Sequence, residues 1–467
     1  MEWRQLLSEK RRGNYARARD RKHDLRSEFE KDYHRIIGSA SFRRLQDKTQ
    51  VFPLDRSDFI RTRLTHSLEV SSFGRSLAEN ISASIMTRGV DPAFSYETKE
   101  AICEILQCAG LIHDIGNPPF GHFGEESIRE WFASHLDTLL YHGRPVSDIL
   151  GEQEKKDLLN YDGNAQGLRL VSRLHFLVNE NGMNLTYGLL SAVMKYPVSS
   201  LEINKSASDK KYHKAGYFKS EEDLFRDIQK TCGTHGCRSP LAYILEAADD
   251  IAYATADIED AFKKGFLTYQ DLLRELKARG VTAHYTSKLE DAYRMGEAMK
   301  AGNPEEYAVM NALVAFQGSL LHSATEGFMS HYQVIMKGGY PYDLFYHTPA
   351  EKLLAALKSI AYDYAFTTAS IFRTEIAANT ILTYLMDHLV SAALSYDEGR
   401  YPGLLEEKFL SLISENYREV YHRMSAGADE AGRLYLKLLL ATDCISGMTD
   451  SYARDLYHEL TGSGALR

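Results

Sequence analysis

Apolar residues recur at three- and four-residue spacing along most of this chain. The pattern is cleanest over residues 64–86, 99–112, 241–262, 350–360, 370–394 and 434–444, and each run is predicted to be a helix with a buried face. Strand-like alternation is scarce and short. Breakers are few as well: 11 prolines in 467 residues is about half of the average usage of ~5%. The pattern predicts an all-α protein. Three stretches interrupt it, 141–167, 198–217 and 336–348. The last, Met-Lys-Gly-Gly-Tyr-Pro-Tyr-Asp-Leu-Phe-Tyr-His-Thr, is aromatic and Gly/Pro-punctuated and reads as an ordered loop.

Composition narrows the class. With 44% hydrophobic and 25% charged residues the chain can bury a large core and is not wholly disordered. A net charge of −9 means that it is not built as a polycation, so any contact with a polyanion must come from local basic groups or a bound metal. No run approaches ~18 uninterrupted apolar residues, and the opening lacks the apolar stretch of a signal peptide. Five scattered cysteines, at 103, 108, 232, 237 and 444, give no disulfide framework. A cytoplasmic protein without membrane contact is expected.

The chemistry concentrates in a few segments. In Ala109-Gly-Leu-Ile-His-Asp-Ile-Gly-Asn-Pro-Pro-Phe120 an apolar helix ends in adjacent His113 and Asp114 and then breaks at Gly116 and Pro118. An imidazole nitrogen and a carboxylate at a helix end can hold one divalent cation, with open positions left by the break. His66 opens another helix in Arg61-Thr-Arg-Leu-Thr-His-Ser, with Arg63 one turn before it. Asp249-Asp250 lies inside the apolar helix Leu241-Ala-Tyr-Ile-Leu-Glu-Ala-Ala-Asp-Asp-Ile-Ala-Tyr253, where two carboxylates need a cation or a hydrogen-bond network. Singly, each fragment is as well explained by structure: a helix-start histidine, a buried polar pair. The order H…HD…D is more specific. His122 and Glu125 stand one turn apart, so the carboxylate can hold one ring nitrogen and leave the other for a reacting group. No GxxxxGK[ST] or GxGxxG loop occurs, so a bound polyphosphate would meet side chains instead. Cys232-Gly-Thr-His-Gly-Cys237 has three potential ligands at an unusual spacing and no second cluster, and is not read as a zinc site.

Thr-His-Ser-Leu-Glu-Val, Ala-Gly-Leu-Ile-His-Asp-Ile-Gly-Asn-Pro-Pro-Phe-Gly-His-Phe-Gly-Glu-Glu, Tyr-Asp-Gly-Asn-Ala-Gln-Gly-Leu-Arg and Leu-Glu-Ala-Ala-Asp-Asp-Ile-Ala-Tyr resemble the HD-domain deoxynucleoside triphosphate triphosphohydrolases. The closing Ile-Ser-Gly-Met-Thr-Asp-Ser-Tyr-Ala, from 445 to 453, is similar to the bacterial dGTP-hydrolysing branch. The resemblance runs from about 35 to 452, with poor matches over 196–235 and 265–365. The charged residues 1–25 read as a solvated N-terminal arm, followed by an HD-type metal and nucleotide core over 26–265 and a helical C-terminal part over 266–467 packed on that core.

The resemblance implies one divalent metal, Mn²⁺ or Mg²⁺ with Fe, Co or Zn as alternatives, held by His66, His113, Asp114 and one acid of the Asp249-Asp250 pair. Asp249 is preferred because Asp249, Tyr253 and Asp257 share one helix face, while Asp250 is turned by ~100°; this geometry alone does not exclude Asp250. His122 and Glu125 are the implied acid–base pair. Arg63, Asn117 and Asn164 are implied to contact the phosphates. Gln50, Val51, Tyr253 and Asp257 are implied to contact the sugar, with Tyr253 leaving no room for a 2′-hydroxyl. The implied reaction is hydrolysis of dGTP, or of several dNTPs, to deoxynucleoside and inorganic triphosphate by attack at the α-phosphorus. Homo-oligomers, hexamers among them, and a single-stranded DNA effector are implied partners. Two other classes remain open from the residues alone: an HD-type phosphodiesterase or 5′-nucleotidase, and a non-catalytic nucleotide or single-stranded DNA sensor.

Overall fold

The computed structural model describes residues 1–13, 24–52, 54, 59–175, 180–399 and 403–463. It is 69% helical, and its sheet is one hairpin pairing Leu140–Tyr141 with Arg144–Pro145. The all-α expectation is correct. The elements that build the site are α1 (Arg63–Arg88), α2 (Tyr96–Ile112), α3 (Gly121–His135), α4 (Gly163–Arg169), α5 (Pro240–Lys263), α6 (Pro304–Met336), α7 (Glu351–Ala361), α8 (Ala369–Ser395), α9 (Glu430–Ser446) and α10 (Asp450–Thr461).

Local signals set the ends of these helices. The Thr62 hydroxyl caps α1 by accepting from Thr65 N, and Gly89 ends it in the left-handed region at φ 60°. Ser95 caps α2, and Ser239 caps α5 with Pro240 in its first turn. α1 and α2 approach closely because glycines lie at their crossing. A Cβ on Gly110 would stand 2.4 Å from Ser71 N, and one on Gly74 would stand 3.1 Å from Leu106 O. That crossing brings the start of α1, with His66, to the end of α2, with His113. α5 packs across both.

Apolar side chains gather in two clusters. One joins α1, α2, α5, α6 and α7 through residues such as Leu77, Leu106, Ile244, Ile258, Phe316 and Leu357. The other joins α3, α8 and α9 through Phe132, Leu385, Leu389 and Leu438, and takes in the segment from Tyr141 to Ala165. The elements carrying the histidine and aspartate candidates belong to the first cluster, and the helix carrying His122 and Glu125 belongs to the second.

Two expectations differ from what is found. The stretch 141–167 is not irregular: besides the hairpin it holds the helices Val146–Ile149 and Glu152–Leu159 and the start of α4, whose first turn is capped by Asp162. Such short helices carry too little apolar periodicity to register in sequence. The first part of the expected solvated arm is docked. Trp3 and Leu6 are buried, and Trp3 Nε1 donates to the Tyr332 hydroxyl of α6 at 2.9 Å. Residues 14–23 lie outside the described residues. The turn over 233–237 is compact, with Cys237 packed against Gly338. No helix among the described residues is long and apolar enough to cross a membrane.

Candidate metal centre

Three elements bring His66 of α1, His113 at the end of α2 and Asp249 of α5 together, with ligand atoms within 4.8 Å of one another. His66 Nε2 lies 3.2 Å from Asp249 Oδ1, and His113 Nε2 lies 3.5 Å from the same oxygen. The two rings are 5.3 Å apart and nearly edge to face. His113 Nδ1 donates to the Gly110 carbonyl at 2.8 Å. That bond fixes which ring nitrogen faces the cluster: His113 Nε2 is buried there and has no hydrogen-bond partner. A buried imidazole nitrogen so oriented, beside a second imidazole and a carboxylate, is a donor set suited to a divalent ion. The residues present fit the group.

Asp114 flanks this cluster. Its Oδ1 is 3.7 Å from His113 Nε2, and its Oδ2 accepts from Arg63 Nη1. Burial pushes the Asp114 carboxyl upward, but Arg63 and His113 outweigh it and hold the group well below its usual range. Asp249 behaves alike: burial is overcome by Lys195, whose Nζ donates to Oδ2 at 2.7 Å, and by His113. Asp250 points elsewhere. It accepts from Lys358 Nζ at 2.6 Å, and burial leaves its carboxyl raised to about 6 despite that partner.

The acid–base candidates sit on α3. His122 is exposed and its Nδ1 pairs with Glu125 Oε2 at 3.0 Å. Glu125 is buried; its Oε1 accepts from Gly163 N at 2.6 Å. Burial would raise the Glu125 carboxyl, but His122, Lys214 and the Gly163 amide hold it below its ordinary value. An ionised Glu125 thus accepts the Nδ1 proton, and His122 Nε2 is presented outward. Glycines make this junction: a Cβ on Gly163 would meet Asn117 Oδ1 at 2.0 Å, and one on Gly116 would meet Gly167 N at 2.1 Å and Gly163 O at 2.2 Å. Asn117 is therefore packed against α4, while the Asn164 amide donates to Asp162 Oδ1 at 2.7 Å.

The remaining candidates line the start of α1 and the far half of α5. Thr49 bridges to Thr62 in antiparallel fashion, and Arg63 N donates to Lys48 O at 2.9 Å. Gln50 and Val51 therefore lie beside the helix that carries Arg63 and His66; Val51 is buried, and Gln50 Oε1 has no partner. Arg63 is buried, with its Nε unpaired, and it runs close over Gly121. On α5, Tyr253 stacks on Phe366, with centroids 6.2 Å apart. One turn later both Asp257 oxygens are buried and receive no hydrogen bond. Burial, and Asp260 beside it, push the Asp257 carboxyl well above its ordinary value despite the adjacent Tyr253 hydroxyl. A buried acid of this kind, beside a tyrosine hydroxyl, marks Asp257 as a candidate polar contact for a ligand.

Sequence reasoning missed two cations here. Lys195 touches Asp249, and Lys214 Nζ lies 2.9 Å from Asp162 Oδ2, close enough to influence Glu125. Neither carried a local signal: Lys195 follows the short helix Tyr187–Val193, and no motif marks it.

A family model described as the HD domain matches residues 63–195, which takes in α1 through Lys195. The match takes in His66, His113 and Asp114, while Asp249 lies beyond its end. The curated relatives then narrow the class. A Listeria monocytogenes protein called deoxyguanosinetriphosphate triphosphohydrolase-like is 43% identical over 99% of this chain and 100% of its own. A like-named Pseudomonas aeruginosa protein is 34% identical over 99% of each chain. The deoxyguanosinetriphosphate triphosphohydrolase of Yersinia enterocolitica is 30% identical over 98% of this chain and 99% of its own. The chain belongs to the HD-domain deoxynucleoside triphosphate triphosphohydrolase family.

Proposed function

We propose that this protein hydrolyses deoxynucleoside triphosphates, dGTP foremost, to the deoxynucleoside and inorganic triphosphate. The observation that carries the reading is one helix, α5, that offers Asp249 to two imidazoles and, on the same face, Tyr253 and the unpartnered Asp257. A metal centre and a sugar-sized polar contact thus lie within two turns of each other.

In this reading His66, His113, Asp114 and Asp249 hold one divalent ion, Mn²⁺ or Mg²⁺. When bound, the ion supplies Lewis-acid chemistry at the α-phosphorus and lowers the pKa of a nucleophilic water. Arg63, Lys195 and Lys214, with Asn117 and Asn164, neutralise and orient the triphosphate, since the chain has no glycine-rich phosphate loop. Water oxygen bonds to the α-phosphorus, the bond to the 5′-oxygen breaks, and the leaving alkoxide takes up a proton. His122, held by Glu125, delivers that proton or places the water. Asp257 accepts from the 3′-hydroxyl. Tyr253 packs beneath C2′, and Gln50 and Val51 close the sugar's other side. Exclusion of ribonucleotides is steric in this arrangement.

The reading extends to assembly as a homo-oligomer in the cytoplasm, with single-stranded DNA as an effector. The net charge of −9 requires DNA to find a local basic groove, and such binding should weaken with salt. The test of the activity is incubation with each dNTP and rNTP plus Mn²⁺ or Mg²⁺ and identification of products. Deoxynucleoside and intact triphosphate support the reading; monophosphate with pyrophosphate, or orthophosphate, supports a phosphodiesterase or nucleotidase instead.

A further inference from the structure

The C-terminal motif from Ile445 to Ala453 marks the family resemblance, yet none of its residues enters the chemistry above. Its contacts give it a task. Asp450, at the start of α10, is buried, and its two oxygens are divided between two loops. Oδ2 accepts from Thr49 N at 2.9 Å and from the Thr49 hydroxyl, immediately before Gln50 and Val51. Oδ1 accepts from Phe120 N at 2.8 Å, two residues before His122. Phe120 is held at φ 62°, a left-handed conformation that a phenylalanine adopts only when its surroundings impose it. A second bond set runs parallel. The buried Lys48 Nζ donates to the Asn117 carbonyl at 2.5 Å and to the Ser446 carbonyl at 2.7 Å, joining the same two loops to the end of α9.

We propose that Asp450 is a positioning residue that sets the sugar segment (Thr49–Val51) and the acid–base segment (Phe120–His122) in register with each other, with Lys48 as the second tie. One carboxylate accepts from both backbones, so neither loop can shift without breaking a buried, charge-assisted bond. The C-terminal part of the chain would thereby be required for turnover without touching substrate. This inference rests on the proposed dNTP hydrolysis for its kinetic consequence, but not for its structural one.

The test compares Asp450→Asn with Asp32→Asn. Asp32 is a buried aspartate that accepts from Thr186 N and the Thr186 hydroxyl in the same way, but it ties no candidate site segment. Hydrogen exchange on the intact protein needs no activity. Asp450→Asn should speed exchange at least tenfold across 48–51 and 117–122 together, and Asp32→Asn should leave both segments protected. For kinetics, Asp450→Asn should lower kcat for dGTP at least tenfold and narrow the dNTP-to-rNTP preference in kcat/KM, with metal content kept. Asp32→Asn should lose thermal stability alone. Unchanged exchange in both loops, or exchange that rises while kcat and sugar preference stay at wild-type values, overturns the proposal. If Asp450→Asn does not fold, Thr49→Val against Thr49→Ser decides. The valine should lose sugar preference and the serine keep it, and equal behaviour of the two overturns the proposal. A wild type that hydrolyses no dNTP yet shows coupled exchange of the two loops would fault the proposed function and leave the clamp standing.

Discussion

Lys195 Nζ donates to Asp249 Oδ2 at 2.7 Å, while Asp249 Oδ1 faces His66 and His113. One carboxylate thus meets a lysine through one oxygen and two imidazoles through the other. Lys195 reaches it from beyond the helix Tyr187–Val193, in a part of the chain whose sequence gives little hint of the site.

Lys195→Ala removes a cation proposed to meet the phosphates without removing an imidazole. The expected result is a fall in kcat/KM for dGTP of about a hundredfold, the worth of one charge-assisted bond of roughly 3 kcal/mol. Bound metal, measured by elemental analysis, should stay near the wild-type level, and Lys195→Arg should recover part of the loss. Loss of metal in step with activity would show that the lysine only props up Asp249.

The two adjacent acids make a sharper contrast. Asp249→Asn should abolish both metal binding and turnover, as should His113→Ala. Asp250→Asn, which breaks only the pair with Lys358, should keep its metal. Metal content of the three purified variants checks this, and a metal-free Asp250→Asn would reassign the ligand.

His122→Ala should leave the metal in place while kcat falls by about 10²- to 10⁴-fold, the usual worth of a positioned acid–base group. Tyr253→Ala should admit GTP. Steady-state kinetics with dGTP and GTP reads both; continued rejection of GTP by Tyr253→Ala would place sugar selection elsewhere.

Gly116→Ala forces a methyl group to within 2.1 Å of Gly167 N and 2.2 Å of Gly163 O, which only backbone movement can relieve. A loss of about 2 kcal/mol or more in unfolding free energy is expected. Because the displaced backbone carries Gly163, whose amide holds Glu125, activity should fall too. A denaturation curve that overlays the wild type would refute the packing argument.

Away from the site, burial lifts the Asp157 carboxyl from 3.8 to about 6, although Lys219 N, Ser200 and Tyr435 donate to it. The native state therefore holds this proton more tightly than the unfolded chain. Its contribution to stability is full below pH ~4 and is lost as pH rises through about 6, a change of up to about 3 kcal/mol. Urea melts of wild type and Asp157→Asn at pH 4.5 and 7.5 should diverge in this direction. A difference independent of pH would contradict it.

Much of the fold was legible because long helices write their period plainly. The runs over 64–86, 99–112 and 241–262 lie within α1, α2 and α5. α6 did not stand out, though it is the longest element. Small and polar residues, Gly318, Ser319, Ser323 and Gly327 among them, interrupt its apolar positions, and Gly327 serves close approach: a Cβ there would stand 1.9 Å from Leu344 O. Such packing leaves no clean apolar stripe.

The candidate site divides in the same way. His66, His113 and Asp249 were nameable from motif order, and the structure brings their side chains together. Asp250, its neighbour in sequence, turns to Lys358 for the simple reason of helical phase. Lys48, Lys195, Lys214 and Asp450 were not nameable. Their importance comes from partners distant in sequence, such as Ser446 for Lys48 and Phe120 for Asp450, and no local spacing encodes a contact of that length.

In the proposed reaction water attacks the α-phosphorus at the site where His66, His113 and Asp249 meet. Its most direct test is turnover of dGTP in heavy-oxygen water, with products resolved by mass spectrometry. The account predicts deoxyguanosine with unlabelled 5′-hydroxyl and triphosphate carrying one heavy oxygen, both absent with Asp249→Asn. Label in the nucleoside, or pyrophosphate in place of triphosphate, would contradict it.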